Sequence, residues 1–140
     1  MKVVGALVVV ALVVPACSDS PDVEVGWHGT FGGGPSPEID VPATATAGTP
    51  FTVSFYTGGS GCGSAVSTEV TSTPDGALVI PYDHYDEPCK IQIAAVYQHS
   101  AELTFATPGT YAVRLRFRGC YKLPDCAAPL YDNAFSVAVH

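Results

Sequence analysis

From Phe51 onward the chain sets apolar residues at every second position. Phe51, Val53 and Phe55 alternate with Thr52, Ser54 and Tyr56. A period of two puts alternate side chains on opposite faces of a strand. Val66–Thr71 repeats the pattern less cleanly, and Ala77–Tyr82, Glu102–Ala106, Tyr111–Arg118 and Ala134–Val139 continue it. Ala47-Gly48-Thr49-Pro50, Pro74-Asp75-Gly76 and Pro108-Gly109 fall between them as turns. Short alternating strands with regular turns predict an antiparallel sandwich or barrel. No long segment carries a helical period, which excludes an α/β sheet. Residues 90–97 fit neither period and read equally as a short helix or a strand.

The clearest local signal is Thr107-Pro108-Gly109-Thr110-Tyr111, followed by Val113, Leu115 and Phe117. It resembles the turn and strand found late in immunoglobulin-like domains. There a tyrosine packs inward while its hydroxyl bonds the preceding turn. Gly48-Thr49-Pro50-Phe51-Thr52-Val53 is similar to an early strand of the same domains. The expected fold is therefore an all-β, antiparallel, immunoglobulin-like β-sandwich of about seven strands. A resemblance this broad implies architecture and not activity.

The first 16 residues predict export. Lys2 precedes an apolar run, Val3 to Val14, and Pro15-Ala16 lead to Cys17. This is the layout of a secretory signal peptide. The run is shorter than the roughly 20 apolar residues needed to span a bilayer. Val14-Pro15-Ala16-Cys17 resembles the lipobox of bacterial lipoproteins, although Pro15 replaces the usual small residue. The resemblance implies cleavage before Cys17, attachment of a palmitate-type lipid to Cys17, and a membrane-anchored location at the cell envelope, periplasmic or surface-exposed. Residues 17–37 then read as a flexible tether of about 25 Å, with Val23–Val25 as the alternative of an added edge strand. Residues 38–140 form the folded domain.

Cysteine counting fits export. Setting Cys17 aside leaves Cys62, Cys89, Cys120 and Cys126, an even set that reads as two disulfides in an oxidising compartment. Three pairings are possible. Nearness in sequence favours Cys62–Cys89 and Cys120–Cys126. Gly61-Cys62, Pro81-Tyr82-Asp83, Cys89, His99 and Pro108-Gly109, in this order, also resemble a group of bacterial lipoproteins without an assigned activity. That resemblance implies a Cys62–Cys89 bond. The net charge of −7 becomes −8 once the single positive charge of Lys2 is removed with the signal. So acidic a chain is repelled by nucleic acid and by anionic membrane surfaces.

Candidate chemistry is sparse. Gly58–Ser64 is glycine-rich, but no Lys follows for a phosphate loop, and the segment reads as a structural loop at a disulfide. Tyr82–Glu87 gathers Asp83, His84, Asp86 and Glu87, and is the first choice for a ligand site. Calcium is the one cofactor it brings to mind, but the acids lack the spacing of an EF-hand, so a solvated acidic loop is the favoured reading. Arg114, Arg116 and Arg118 form a row on one face, expected to pair with acids of neighbouring strands. Cys120–Cys126 and the following residues present Tyr121, Leu123 and Tyr131 as candidate contacts for an envelope protein or glycan. The four histidines have no zinc spacing, and no Met or late His completes a blue-copper set.

The expected function is a non-enzymatic binding or structural module at the envelope, anchored to a membrane by its lipid. Two alternatives stand beside it. One is an envelope hydrolase or its accessory, using the Asp83–Glu87 loop. The other is a protease inhibitor presenting its end loops.

Overall fold

The computed structural model describes residues 23–28, 38–85, 90, 93–119 and 130–140. Among them are nine strands and no helix: β1 (Val23–Val25), β2 (Ile39–Asp40), β3 (Thr44–Ala45), β4 (Phe51–Ser60), β5 (Gly63–Thr73), β6 (Gly76–Tyr85), β7 (Ala94–Leu103), β8 (Gly109–Arg118) and β9 (Leu130–Val139). They form two sheets. One runs β1-β6-β8-β9-β3 with β5 also on β6, and the other runs β2-β4-β7. The expected all-β sandwich is what the chain adopts, with nine strands rather than about seven. Most pairings are antiparallel. Two are parallel, β3 with β9 and β6 with β8.

The alternating rows form the core. Val53 and Phe55 of β4, Ala77 and Val79 of β6, Ala101 and Leu103 of β7, and Val113, Leu115 and Phe117 of β8 are buried. Val137 and Val139 of β9 complete it. The intervening residues face outward, as a pleated strand requires.

β6 changes partners along its length. β5 lies along one edge of it. On the other edge, Gly76–Val79 pair with Ala112–Leu115 of β8, while Tyr82–His84 pair with β1. Pro81 sits at the changeover, where a residue without an N–H cannot extend a ladder. Its carbonyl instead accepts the Gly26 N–H at 3.0 Å. The segment Gly26–His28 then joins the two sheets. Gly26 O accepts the Arg118 N–H at 2.9 Å, and Trp27 O accepts the Gly58 N–H of β4 at 2.9 Å. Val23–His28, ahead of Glu38, thus belong to the sandwich, and Val23–Val25 is the edge strand held open as an alternative.

Two further boundaries differ from expectation. Residues 94–97 are strand, resolving the ambiguous stretch, and β7 runs on to Leu103 rather than starting at Glu102. Its inward residues include Tyr97 and His99, so its period is hidden by polar residues in apolar positions.

The strands have two distinct ends. β4–β5, β6–β7 and β8–β9 connect at one, which we call the loop end. β5–β6 and β7–β8 turn at the other, the turn end. At the turn end Tyr111 makes the expected tyrosine corner. Its hydroxyl donates to Thr107 O at 3.0 Å, and its ring stacks on Phe105 at 4.1 Å between centroids.

Candidate functional site

The inward rows of three strands change chemistry as they approach the loop end. Val53 and Phe55 of β4 are followed by Thr57. Ala77 and Val79 of β6 are followed by Pro81 and Asp83. Leu103 and Ala101 of β7 lead back to His99 and Tyr97. These polar residues remain in core positions: Asp83 and Thr57 are 0% exposed and His99 is 3% exposed.

They form one connected network. His99 Nε2 lies 2.8 Å from Asp83 Oδ1 and 3.2 Å from Thr57 Oγ1. His99 Nδ1 lies 3.1 Å from the Thr68 hydroxyl of β5. The Tyr85 hydroxyl is 3.2 Å from both Asp83 Oδ2 and the Gly58 carbonyl, between which its single proton is shared. The Asp83 carboxylate accepts from Nε2–H, and Nδ1 faces the Thr68 hydroxyl. Burial, with the Asp83 carboxylate next to it, pushes the Tyr85 phenol well above its ordinary range. No buried side-chain polar atom among the described residues lacks a partner.

Glycines make room for these groups. A Cβ on Gly26 would lie 2.5 Å from Asp83 Oδ2 and 2.6 Å from Thr57 Cγ2. A Cβ on Gly59 or on Gly63 would meet the Tyr97 hydroxyl at 2.2 Å. The Gly58–Ser64 run is thus explained by packing. Gly58–Ser60 end β4, Gly63 begins β5, and only Gly61-Cys62 form the turn. Cys62 is disulfide-bonded, and the second cysteine lies outside the described residues.

The sequence candidates separate accordingly. Asp83 is not in a solvated loop. Tyr82–Tyr85 belong to β6, and Asp83 has the inward parity of Ala77 and Val79. His84 takes the neighbouring outward position. Tyr131 is half-buried, and its hydroxyl donates to His28 O at 2.7 Å, so this ring holds the fold and is not a free contact. Asp86, Glu87, Tyr121, Leu123, Cys17, Cys89, Cys120 and Cys126 lie outside the described residues. Among the described residues, no group of three or more His, Cys, Asp or Glu is placed to hold a metal ion.

The arginine row is ion-paired. Arg116 Nε meets Asp132 Oδ1 at 2.7 Å across β8–β9, Arg114 Nη1 meets Asp75 Oδ1 at 2.9 Å, and Arg118 pairs with Glu24 of β1. The hydrogen bonds from their arginines hold the Asp75 and Asp132 carboxyls below the usual range.

Sequence reasoning missed the Asp83–His99 pair as a pair. The available signal was parity. Asp83 continues the Ala77-Val79-Pro81 row, and His99 continues the Ala101-Leu103 row, so both were placed to face inward.

Thr68, His99 and Asp83 form a hydroxyl–imidazole–carboxylate line, the order used in hydrolytic triads. Acyl transfer also needs an open cleft and donors about 3 Å from the developing oxyanion. Among the described residues, two surface cavities, of about 410 and 340 Å³, are lined by other residues, including Glu102–Thr107 and Thr110–Ala112 respectively. Here the line runs from the half-buried Thr68 into the core and links three strands, β5, β7 and β6. No family model, curated protein or solved structure matches this chain.

Proposed function

We propose that the protein is an envelope lipoprotein whose sandwich acts as a non-enzymatic binding or structural module. In this reading the signal peptide is cleaved, Cys17 carries the lipid, and the domain is held at a membrane. The observation that supports a scaffold role is the closed Asp83–His99 network. Its carboxylate, imidazole and hydroxyls are spent on one another and on backbone, across strands of both sheets. The paired arginines add to this, since no described guanidinium is left for an anionic ligand.

We assign the disulfides as Cys62–Cys89 and Cys120–Cys126. The register favours the first. Gly63 pairs with Tyr85 and Gly61 N–H bonds Ile93 O at 2.9 Å, so the ends of the 86–92 connection flank the Cys62 turn. Peptide mapping without reduction tests this, and a Cys62–Cys120 peptide would overturn it. Contacts to an envelope protein or glycan fall to the loop end, where Tyr121 and Leu123 belong in sequence. Replacing both is expected to abolish capture of the envelope partner and leave the melting temperature unchanged. Unchanged capture removes this loop from recognition. Tyr131 is unsuited to that test because its loss also weakens the fold.

The triad-like line gives the hydrolase reading its own test. A fluorophosphonate probe labels an activated hydroxyl. We expect no labelling of Thr68, and labelling that disappears in His99→Gln would establish a nucleophile.

A further inference from the structure

Six large apolar side chains are exposed among the described residues, and they are unevenly placed. Ile93 is 68% exposed, Val96 55%, Leu130 51% and Val23 36%. All four sit at the loop end. Ile93 immediately precedes β7, and Val96 is its third residue. Leu130 opens β9 opposite Arg118, and Val23 opens β1 opposite His84. The other two, Val66 and Val70, lie on β5. At the turn end Phe51, Phe105 and Tyr111 are instead half-buried against one another and the core.

The chain also enters at the loop end. β1 starts level with the last residues of β6, so the polypeptide arriving from Cys17 reaches the sandwich beside these apolar residues. Only Ser18 to Asp22 intervene, and a fully extended chain of that length spans about 20 Å. A lipid on Cys17 therefore brings this end, and not the turn end, within reach of the headgroups.

We infer that the loop end is a membrane-docking face, on which Ile93, Val96, Leu130 and Val23 settle into the phospholipid interface. The inference rests on the lipoprotein reading, and it gives the loop end to the bilayer in place of an envelope protein or glycan. Apolar side chains at a headgroup boundary leave water, and a lipid anchor that holds them there removes most of the entropic cost of contact. Lys90, exposed and three residues before Ile93 in sequence, can meet lipid phosphates. Asp86 and Glu87 precede it in the same connection, so charge does not drive the contact and the apolar side chains must. A docked domain has a fixed orientation, with the turn end directed away from the bilayer.

The test uses the full chain, processed and acylated in a bacterial host. It is reconstituted into vesicles of phosphatidylethanolamine and phosphatidylglycerol, and amide hydrogen exchange is compared with that of the soluble Cys17→Ser chain. Exchange at residues 93–97 and 130–131 is expected to slow about tenfold in vesicles, with residues 104–110 unchanged. The double variant Ile93→Glu, Val96→Glu, still acylated, is expected to lose that protection. Equal exchange at both ends in a chain whose intact mass shows the lipid overturns docking while leaving the lipoprotein reading standing. An intact mass without lipid overturns both. Protection that arises without vesicles and follows a dimer in sedimentation assigns the face to a second copy and overturns the membrane.

Discussion

At the turn end, the chain reverses through Pro74-Asp75 and Thr104–Pro108, and the core between these turns is Val53, Ala77, Leu103, Val113, Val137 and Val139. At the loop end the inward rows of β4, β6 and β7 continue as Thr57, Asp83 and His99. Both halves are equally closed to water. The apolar half is held by area, which has no direction. The polar half is held by bonds that require one particular set of neighbours. Phe55 marks the boundary between Val53 and Thr57 on β4: its ring stacks on His99 at 5.5 Å and meets the edge of Phe117, near the loop end of β8, at 5.7 Å. A pleated strand decides which residues face inward, but not what chemistry they bring. A buried carboxylate is tolerated where its partners arrive with it.

The largest expected effect separates these two kinds of core. Asp83→Ala leaves His99 and Tyr85 without their shared partner in a dry site, and is expected to cost about 3 kcal/mol or more in urea unfolding. A cost under about 1 kcal/mol would dissolve the distinction between the halves. Replacing the pair together, Asp83→Leu with His99→Phe, is expected to recover much of the loss, because apolar groups of similar size need no partner.

Leu115→Ala on the apolar side is expected to cost about 2–5 kcal/mol, depending on how far the cavity collapses. Unlike Asp83→Ala, it has no second substitution that restores the bond, because there is none. A calorimetric series on both variants makes the comparison direct.

Tyr111→Phe tests a polar device of the turn end. It removes the hydroxyl that bonds Thr107 and keeps the ring on Phe105, and about 1 kcal/mol is expected. An effect as large as that of Asp83→Ala would mean that the turn end also depends on a polar lock.

The smallest effect concerns surface charge. Arg116 lowers the carboxyl pKa of Asp132, so their contribution is present above the ordinary Asp value of about 3.9 and is lost as the pH falls below it. Arg116→Gln is expected to lower the melting temperature slightly at pH 7, and by less as the pH falls below about 4, which flattens the acid limb. An unchanged acid limb would show that the pair carries no pH dependence.

Much of the apolar half was legible in the sequence. Phe51-Val53-Phe55 and Tyr111-Val113-Leu115-Phe117 show their period openly, and the tyrosine corner follows from Thr107-Pro108-Gly109-Thr110-Tyr111. The polar half was hidden for a physical reason. Tyr97, His99 and Asp83 look like surface residues, so β7 seemed to begin too late and β6 seemed to end in a loop. Exposed Ile93 and Val96 misled in the opposite sense. Tyr131 looked free to bind because nothing near it in sequence announces His28, 103 residues away, as its partner.

By itself the sequence determined the class of fold, the main inward rows, the turns and the acidic balance, because all of these follow from local periodicity and composition. Only the tertiary structure decided that Asp83 meets His99, that Gly26–His28 joins the sheets, and that Val23, Ile93, Val96 and Leu130 share one end. Those facts depend on strand order and register, which bring together residues far apart along the chain and which a period of two leaves open.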